Sequence, residues 1–379
     1  CSSKRSRIYA IASALSSTPR RPTQPVSGTD RLGNTAARLL AWFDRVQRDL
    51  PWRRNRDPWG IWVSEIMLQQ TRVEAVREPY ARFMAKYPEP REFAKANDDE
   101  VMVAWRGLGY YRRARLLRDG ARRVADEHRG TVPSDLEQLS ALPGVGPYTL
   151  GAIASIAFGH PEPAVDGNVE RVVSRHRGLD APIGTGPARR AIREVVLGWM
   201  SQDRAGDFNQ ALMELGATVC TPTSPSCGEC PIAKDCVAKR DGRTEQLPVK
   251  KAPRKAVEVT SRAVVVHKAG KALGYRIAAD QPNAGQIELP GPGVLRDCDP
   301  DDLKAAILKH FAASVTVGEQ LASIRHAITH HRITMHAHTA TVRRIGQLQW
   351  FSLDQDTPWT TPSRKVFRQV FPQSRPLEA

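Results

Sequence analysis

The sequence predicts an all-α domain over residues 31–236 followed by a smaller α+β domain over 257–379. Apolar residues recur at helical spacing through the first region, with no convincing strand pattern. Four cysteines close that region between Cys220 and Cys236. Past a basic, Pro-containing segment the period changes to that of strands.

At 379 residues the chain suits two domains plus tails. Its 41% hydrophobic content supports real cores, and no run reaches the ~18–20 apolar residues of a membrane span. A net charge of +16 and a pI near 9.9 favour a polyanionic partner, nucleic acid before a membrane surface. Six cysteines in a chain this long do not make a disulfide scaffold.

Residues 1–30 are rich in Ser, Thr, Pro and Arg with no acid before Asp30, which reads as a disordered basic tail; a targeting peptide is the alternative. From Arg31 a stripe of Leu32, Ala36, Leu39, Leu40, Phe43 and Val46 predicts the first helix. After LPWRRNRDPWG, a second helix is expected from about Trp59 to Arg77, ending before Pro79. Glu65 is its odd residue. Its neighbours three and four away are Ile61, Trp62, Leu68 and Gln69, so a carboxylate sits on a largely apolar face; a charge at the polar boundary of the helix is the alternative. Burial there would raise its pKa, as a general acid at neutral pH requires.

Asn97 is a cap for a helix over Asp98–Trp105. The turn Gly107–Tyr111 then feeds a helix carrying Arg112, Arg113, Arg115, Arg118, Arg122 and Arg123. An aromatic turn ahead of such a helix suits a surface that tracks a nucleic-acid backbone. Ser134 and Glu137 form a capping-box pattern before a short helix with Leu136, Leu139 and Leu142. That helix runs into Leu-Pro-Gly-Val-Gly-Pro and another apolar helix, giving a helix–hairpin–helix. Gly144, Val145 and Gly146 let backbone N–H groups face an anion, with the positive end of the following helix behind them. Asp166, in an Asp-Gly-Asn turn, places an acid nearby. Further helices are expected over 169–177, 188–200 and 207–219.

Cys220, Cys227, Cys230 and Cys236 are spaced C-x6-C-x2-C-x5-C. Zinc sites usually show two close pairs, whereas only one exists here; four thiolates packed this tightly suit an iron–sulfur cube, with zinc the alternative.

Taken in order, SEIMLQQT (64–71), GLGYY (107–111), LPGVGPYT (142–149), VDGNV (165–169) and the cysteine run resemble the adenine DNA glycosylase family, MutY, of the helix–hairpin–helix glycosylases. The resemblance is dense over 31–236. It implies base excision repair of adenine mispaired with 8-oxoguanine or guanine in double-stranded DNA, and a 4Fe–4S cluster on the four cysteines. It implies Glu65 as the acid that protonates the leaving base and Asp166 as the carboxylate that stabilises or attacks the sugar cation. Tyr148 and Asn168 would support them, while Gln70, Thr71, Leu108 and Tyr110 would meet the oxidised guanine. Endonuclease III shares the hairpin and cluster but carries a Schiff-base lysine where this chain has Tyr148, and it lacks an acid matching Glu65. Tyrosine cannot form an imine, so base removal without strand cleavage is expected. The alternatives are an endonuclease III-like glycosylase, a non-catalytic DNA-binding module and an iron–sulfur redox protein. A monomer is expected, cytoplasmic and nucleoid-associated if bacterial.

Residues 237–256 read as a linker. Beyond it, 263–267, 275–279, 287–289 and 334–342 read as strands and 301–313 as a helix, with a last helix over 361–371. By position this domain resembles the family's Nudix-like, lesion-reading domain, although GQIELPGPGV and the residues after it lack the Glu-rich metal box of nucleotide hydrolysis. The family's lesion-reading loop usually contains Phe-Ser-His; here Ile328-Thr329-His330 is the best match, with Thr329 and His330 as the reading pair. His326, His330, His331, His336 and His338 read as a surface toward DNA phosphate rather than as metal ligands.

Overall fold

The computed structural model describes residues 29–250, 255–278, 281 and 283–372; the tail expected over 1–30 lies outside them save for the start of the first helix. Twelve helices build the first domain among the described residues. In order they are α1 (Thr29–Val46), α2 (Pro58–Leu68), α3 (Val73–Lys86), α4 (Pro90–Ala94), α5 (Asp98–Ala104) and α6 (Arg112–Glu127). Then come α7 (Leu136–Ser140), α8 (Pro147–Phe158), α9 (Gly167–Arg177), α10 (Gly186–Trp199), α11 (Ala205–Thr218) and α12 (Val237–Arg240).

These helices pack around two cores. One, drawn from α2 to α8, is centred on aromatic rings including Trp59, Trp62, Phe83, Phe93 and Trp105. The other joins α1 to α9, α10 and α11 through Phe43, Trp199 and Phe208. The site lies where the two cores meet.

The helix expected over 59–77 is two helices. It stops at Leu68, and Gln70 adopts a left-handed φ of 57°, which no helix continues through. Pro79 does not end α3 but sits inside it; the core contacts of Val76, Tyr80 and Phe83 on either side outweigh the lost backbone hydrogen bond. Asn97 and Glu100 form the capping box of α5. At α7 the cap is Asp135, not Ser134: its carboxylate accepts the Gln138 N–H at 2.9 Å. The aspartate stands one residue nearer the helix, so the capped amide is that of Gln138 and not the Glu137 amide that the serine pattern would have claimed.

The segment expected as a linker is docked for half its length. Gly178 approaches Val237 closely, Leu247 is buried and its carbonyl accepts from Arg175 Nε at 2.9 Å. The second domain is α+β. Its first sheet has the order β1-β6-β5, with β1 (Val257–Val265) parallel to β6 (His331–Arg344) and β5 (Ser314–Ile328) antiparallel to it. The second sheet has β3 (Lys271–Arg276) between β2 (His267–Lys268) and β4 (Ile287–Glu288), with β7 (Gln349–Ser352) also on β3. Helices α13 (Asp302–Phe311) and α14 (Thr361–Val370) cover β5. Strand β5 has no counterpart in the sequence reading. Two register shifts around Gln320 interrupt its alternation, which hides the period-two signal.

Candidate active site

Asp57 starts α2 by accepting the N–H groups of Trp59 (3.2 Å) and Gly60 (2.8 Å), with Pro58 at the first helical position. The next nine residues are all buried, so no face of α2 is left for a charge. Glu65 nevertheless lies there, 5% exposed. Desolvation raises its pKa to about 7, with the charge of Asp166 pushing the same way against Tyr148 and Arg53.

Gly144 has a φ of +81°, and a Cβ on it would lie 3.2 Å from the Leu116 side chain; only glycine takes that turn without strain. Gly146 then caps α8 with no side chain of its own, and Pro147 follows at the first turn. A Cβ at Gly146 would meet nothing within 4 Å, so the amino end of α8 faces open space. Tyr148, on the first turn, donates its hydroxyl hydrogen to Glu65 Oε2. Burial holds its own pKa well above 10, so it remains a donor.

Asp166 caps α9. Its Oδ1 accepts the Val169 N–H at 2.7 Å and its Oδ2 accepts from Asn168 Nδ2 at 2.9 Å. Burial raises its pKa, opposed by those hydrogen bonds and by Arg171. Arg171 in turn donates to Asn168 Oδ1 (2.7 Å), to the Gly216 carbonyl (2.8 Å) and to the Cys220 carbonyl (2.8 Å). One cleft of about 1110 Å³ exposes Glu65, Tyr148, Asp166 and Asn168 together with Gln70, Thr71, Gly144 and Gly146. Val145 packs against the core instead.

Gln69 and Thr71, on either side of Gln70, are tied to the glycine-rich turn by an arginine whose helix is expected from sequence to track a nucleic-acid backbone. Arg113 turns inward and donates to the carbonyls of Ile66 (2.7 Å), Leu108 (2.8 Å) and Gly109 (3.1 Å), as well as to that of Gln69. Desolvation lowers its pKa to about 10. Most of its neighbours on α6 are likewise committed within the protein: Arg115 to the Ala284 carbonyl, Arg118 to Asp98, Arg122 to the Ala94 carbonyl and Arg123 to Glu127. Arginine density alone could not distinguish anchoring groups from phosphate contacts. Of the two turn residues expected at the lesion, Tyr110 stands 53% exposed with φ 48°, whereas Leu108 is packed into the core.

All four thiols of the C-x6-C-x2-C-x5-C run line one small cavity beneath α9. No three His, Cys, Asp or Glu groups among the described residues converge closely enough to share a single metal ion. Four thiols lining one cavity supply the ligand count of a 4Fe–4S cluster. Cys230 is held up to about 11 chiefly by burial, with the other three cysteines adding to the effect; bound iron would stabilise the thiolates it needs. Arg175, itself buried, donates to Cys220 Sγ (3.4 Å) and to the Thr221 carbonyl (2.6 Å).

Thr329 and His330 form the two-residue turn between β5 and β6, Thr329 with φ 54° and its Oγ1 3.3 Å from His330 Nδ1. They are not among the residues lining the cleft that holds Glu65 and Asp166.

The comparisons match the helical domain and its cysteine run to DNA repair proteins. Residues 63–196 match the HhH-GPD superfamily of base excision DNA repair proteins, and residues 220–236 match the iron–sulfur binding domain of endonuclease III. The adenine DNA glycosylase of Mycobacterium tuberculosis (strain CDC 1551 / Oshkosh) is 42% identical over 212 residues, spanning 56% of this chain and 69% of that protein. The chain belongs to the adenine DNA glycosylase family. The adenine DNA glycosylase of Homo sapiens is 47% identical over 222 residues, 55% of this chain but only 40% of the human protein. A solved thermostable thymine-DNA glycosylase is 30% identical with a TM-score of 0.50, covering 54% of this chain and 95% of that one. The cysteine run therefore carries the family's 4Fe–4S cluster. No described helix is long and apolar enough to cross a membrane.

Proposed function

We propose that this chain removes adenine from double-stranded DNA where it is mispaired with 8-oxoguanine or guanine, and that it does so without cleaving the strand. The observation that carries the reading is the pair of unlike carboxyls in one cleft. Glu65, with Tyr148 as a hydroxyl donor, is held near pH 7 and keeps its proton in part. Burial raises the pKa of Asp166 as well, but two hydrogen bonds and the field of Arg171 oppose that rise and favour its anion.

Adenine leaves poorly until a ring nitrogen is protonated. Glu65 supplies that proton as the glycosidic bond lengthens, and Tyr148 holds its carboxyl in line. Positive charge accumulates on the sugar, and the Asp166 carboxylate stabilises it or bonds to it until water arrives. Asn168 fixes the rotamer of Asp166 and is itself fixed by Arg171. A cleft this large accommodates a nucleotide turned out of the stack, and the uncapped amino end of α8 suits a backbone phosphate. The four cysteines would hold the cluster, whose contribution is to fix the loop that Arg171 and Arg175 grip.

No lysine is among the residues lining the cleft, which favours base removal over the lyase chemistry of an imine-forming enzyme. Tyr110, Gln70 and Thr71 would meet the base opposite adenine. We assign lesion reading by the second domain to Thr329 and His330, within a Nudix-like unit, and take the chain to act as a monomer, nucleoid-associated if bacterial. Incubation with an 8-oxoguanine:A duplex should release free adenine and leave an abasic strand. Efficient borohydride trapping of a protein–DNA adduct would refute the monofunctional assignment.

A further inference from the structure

The glycine-rich turn Gly107–Tyr111 is held from both ends by the second domain. On its leading side Arg106 Nη2 pairs with Asp356 Oδ1 at 2.9 Å. On its trailing side the Tyr111 hydroxyl hydrogen-bonds with Gln286, and Arg115 Nη1 donates to the Ala284 carbonyl at 2.7 Å. A second ion pair joins Asp99, at the start of α5, to Arg276 Nη1 at 2.8 Å. Arg276 also donates to the Gly285 carbonyl at 2.7 Å, which stiffens the same Ala284–Gln286 segment.

The polarity of these contacts matters. The helical domain contributes one cation and one anion, Arg106 and Asp99; the second domain presents the matching anion and cation, Asp356 and Arg276. An exchanged alignment would set Arg106 against Arg276 and Asp99 against Asp356, so like charges oppose the wrong docking. Between Arg106 and Tyr111, the contacts on either side of the turn, Gly107 (φ 85°), Gly109 (φ 65°) and Tyr110 (φ 48°) adopt left-handed backbone, which for a tyrosine persists only where its surroundings hold it.

We propose that the second domain acts as a latch on this turn: Arg106–Asp356 and Asp99–Arg276 hold Tyr110 in its DNA-facing position. The four charged residues are positioning residues, and the second domain thereby serves the reaction through the turn as well as through any contact of its own with the lesion. This rests on the reading above that Tyr110 meets the mispair.

The test uses the full chain with Arg276→Glu and Asp356→Arg combined, which reverses the second domain's half of both pairs at exposed positions. Amide exchange over 107–111 should accelerate, and single-turnover adenine release from 8-oxoguanine:A should slow by roughly three- to tenfold, the scale of two partly exposed ion pairs. Adding Asp99→Arg and Arg106→Asp restores opposite charges and should recover both readouts. Unchanged exchange in the double variant, or failure of the fourfold variant to recover, overturns the latch. A parent protein that releases no adenine would sink the functional reading, while the exchange measurement still decides the latch.

Discussion

Glu65→Gln separates the electrostatics of the buried acid from its chemistry. In the folded chain the carboxyl is held near 7 by burial, against 4.5 for an unburied group. A proton bound more tightly in the folded state stabilises it below pH 4.5, and that stabilisation is lost as the pH rises through 7. Above pH 7 the fold must carry a buried anion, at a cost of about 3 kcal/mol, from 2.5 pH units at 1.36 kcal/mol each. Glutamine keeps the shape and an acceptor for the Tyr148 hydroxyl but never ionises. The variant should therefore gain on its parent by about 2 kcal/mol between pH 5.5 and 8.5, the part of that window the titration spans. Urea unfolding midpoints at the two pH values, with cluster content matched, measure the difference. A gap that does not change with pH would refute the claim that Glu65 titrates near neutrality inside the fold.

Adenine release should show a bell-shaped dependence on pH, falling on the alkaline side past about 7 as Glu65 loses its proton. On the acid side it should fall as Asp166, whose pKa burial raises, becomes protonated; a rate rising steadily to pH 9 would contradict the assignment. Arg113→Ala removes the donor that joins the Gln70 and Leu108 turns and should weaken binding to mispaired duplex by about tenfold in a filter or anisotropy assay. Gly144→Ala should cost about 1–3 kcal/mol in unfolding experiments, since its φ of +81° is left-handed and Leu116 crowds the added methyl. Cys230→Ser should abolish the cluster's visible absorption and unsettle the loop whose carbonyls Arg171 and Arg175 hold.

What the sequence disclosed tracked the strength of each local signal. Helical periodicity placed α5, with its clear cap at Asn97, within a residue and α9 within two, while the capping role of Asp166 emerges only in the structure. Glu65 was conspicuous because a carboxylate beside Ile61, Trp62 and Leu68 sits on a largely apolar face. The break at Gln70 was not legible, because its cause is the loop that Arg113 pins from 43 residues away in sequence, the difference between positions 70 and 113. The same limit applies to Arg171: one arginine on a helix gives no hint that it reaches both Asn168 and the Cys220 carbonyl. Strand β5 was hidden by its register shifts, and the second domain's grip on Arg106 and Arg115 is a tertiary fact with no local pattern behind it.

In the proposed reaction Glu65 delivers a proton and Asp166 holds the resulting sugar cation. Single-turnover release of adenine from an 8-oxoguanine:A duplex, measured for the parent, Glu65→Gln and Asp166→Asn at saturating protein, tests it most directly. Rapid release by the parent is expected, with a loss of at least about 100-fold in each variant, the lower bound for a positioned acid–base group, and duplex binding retained. Full turnover by either variant would contradict it.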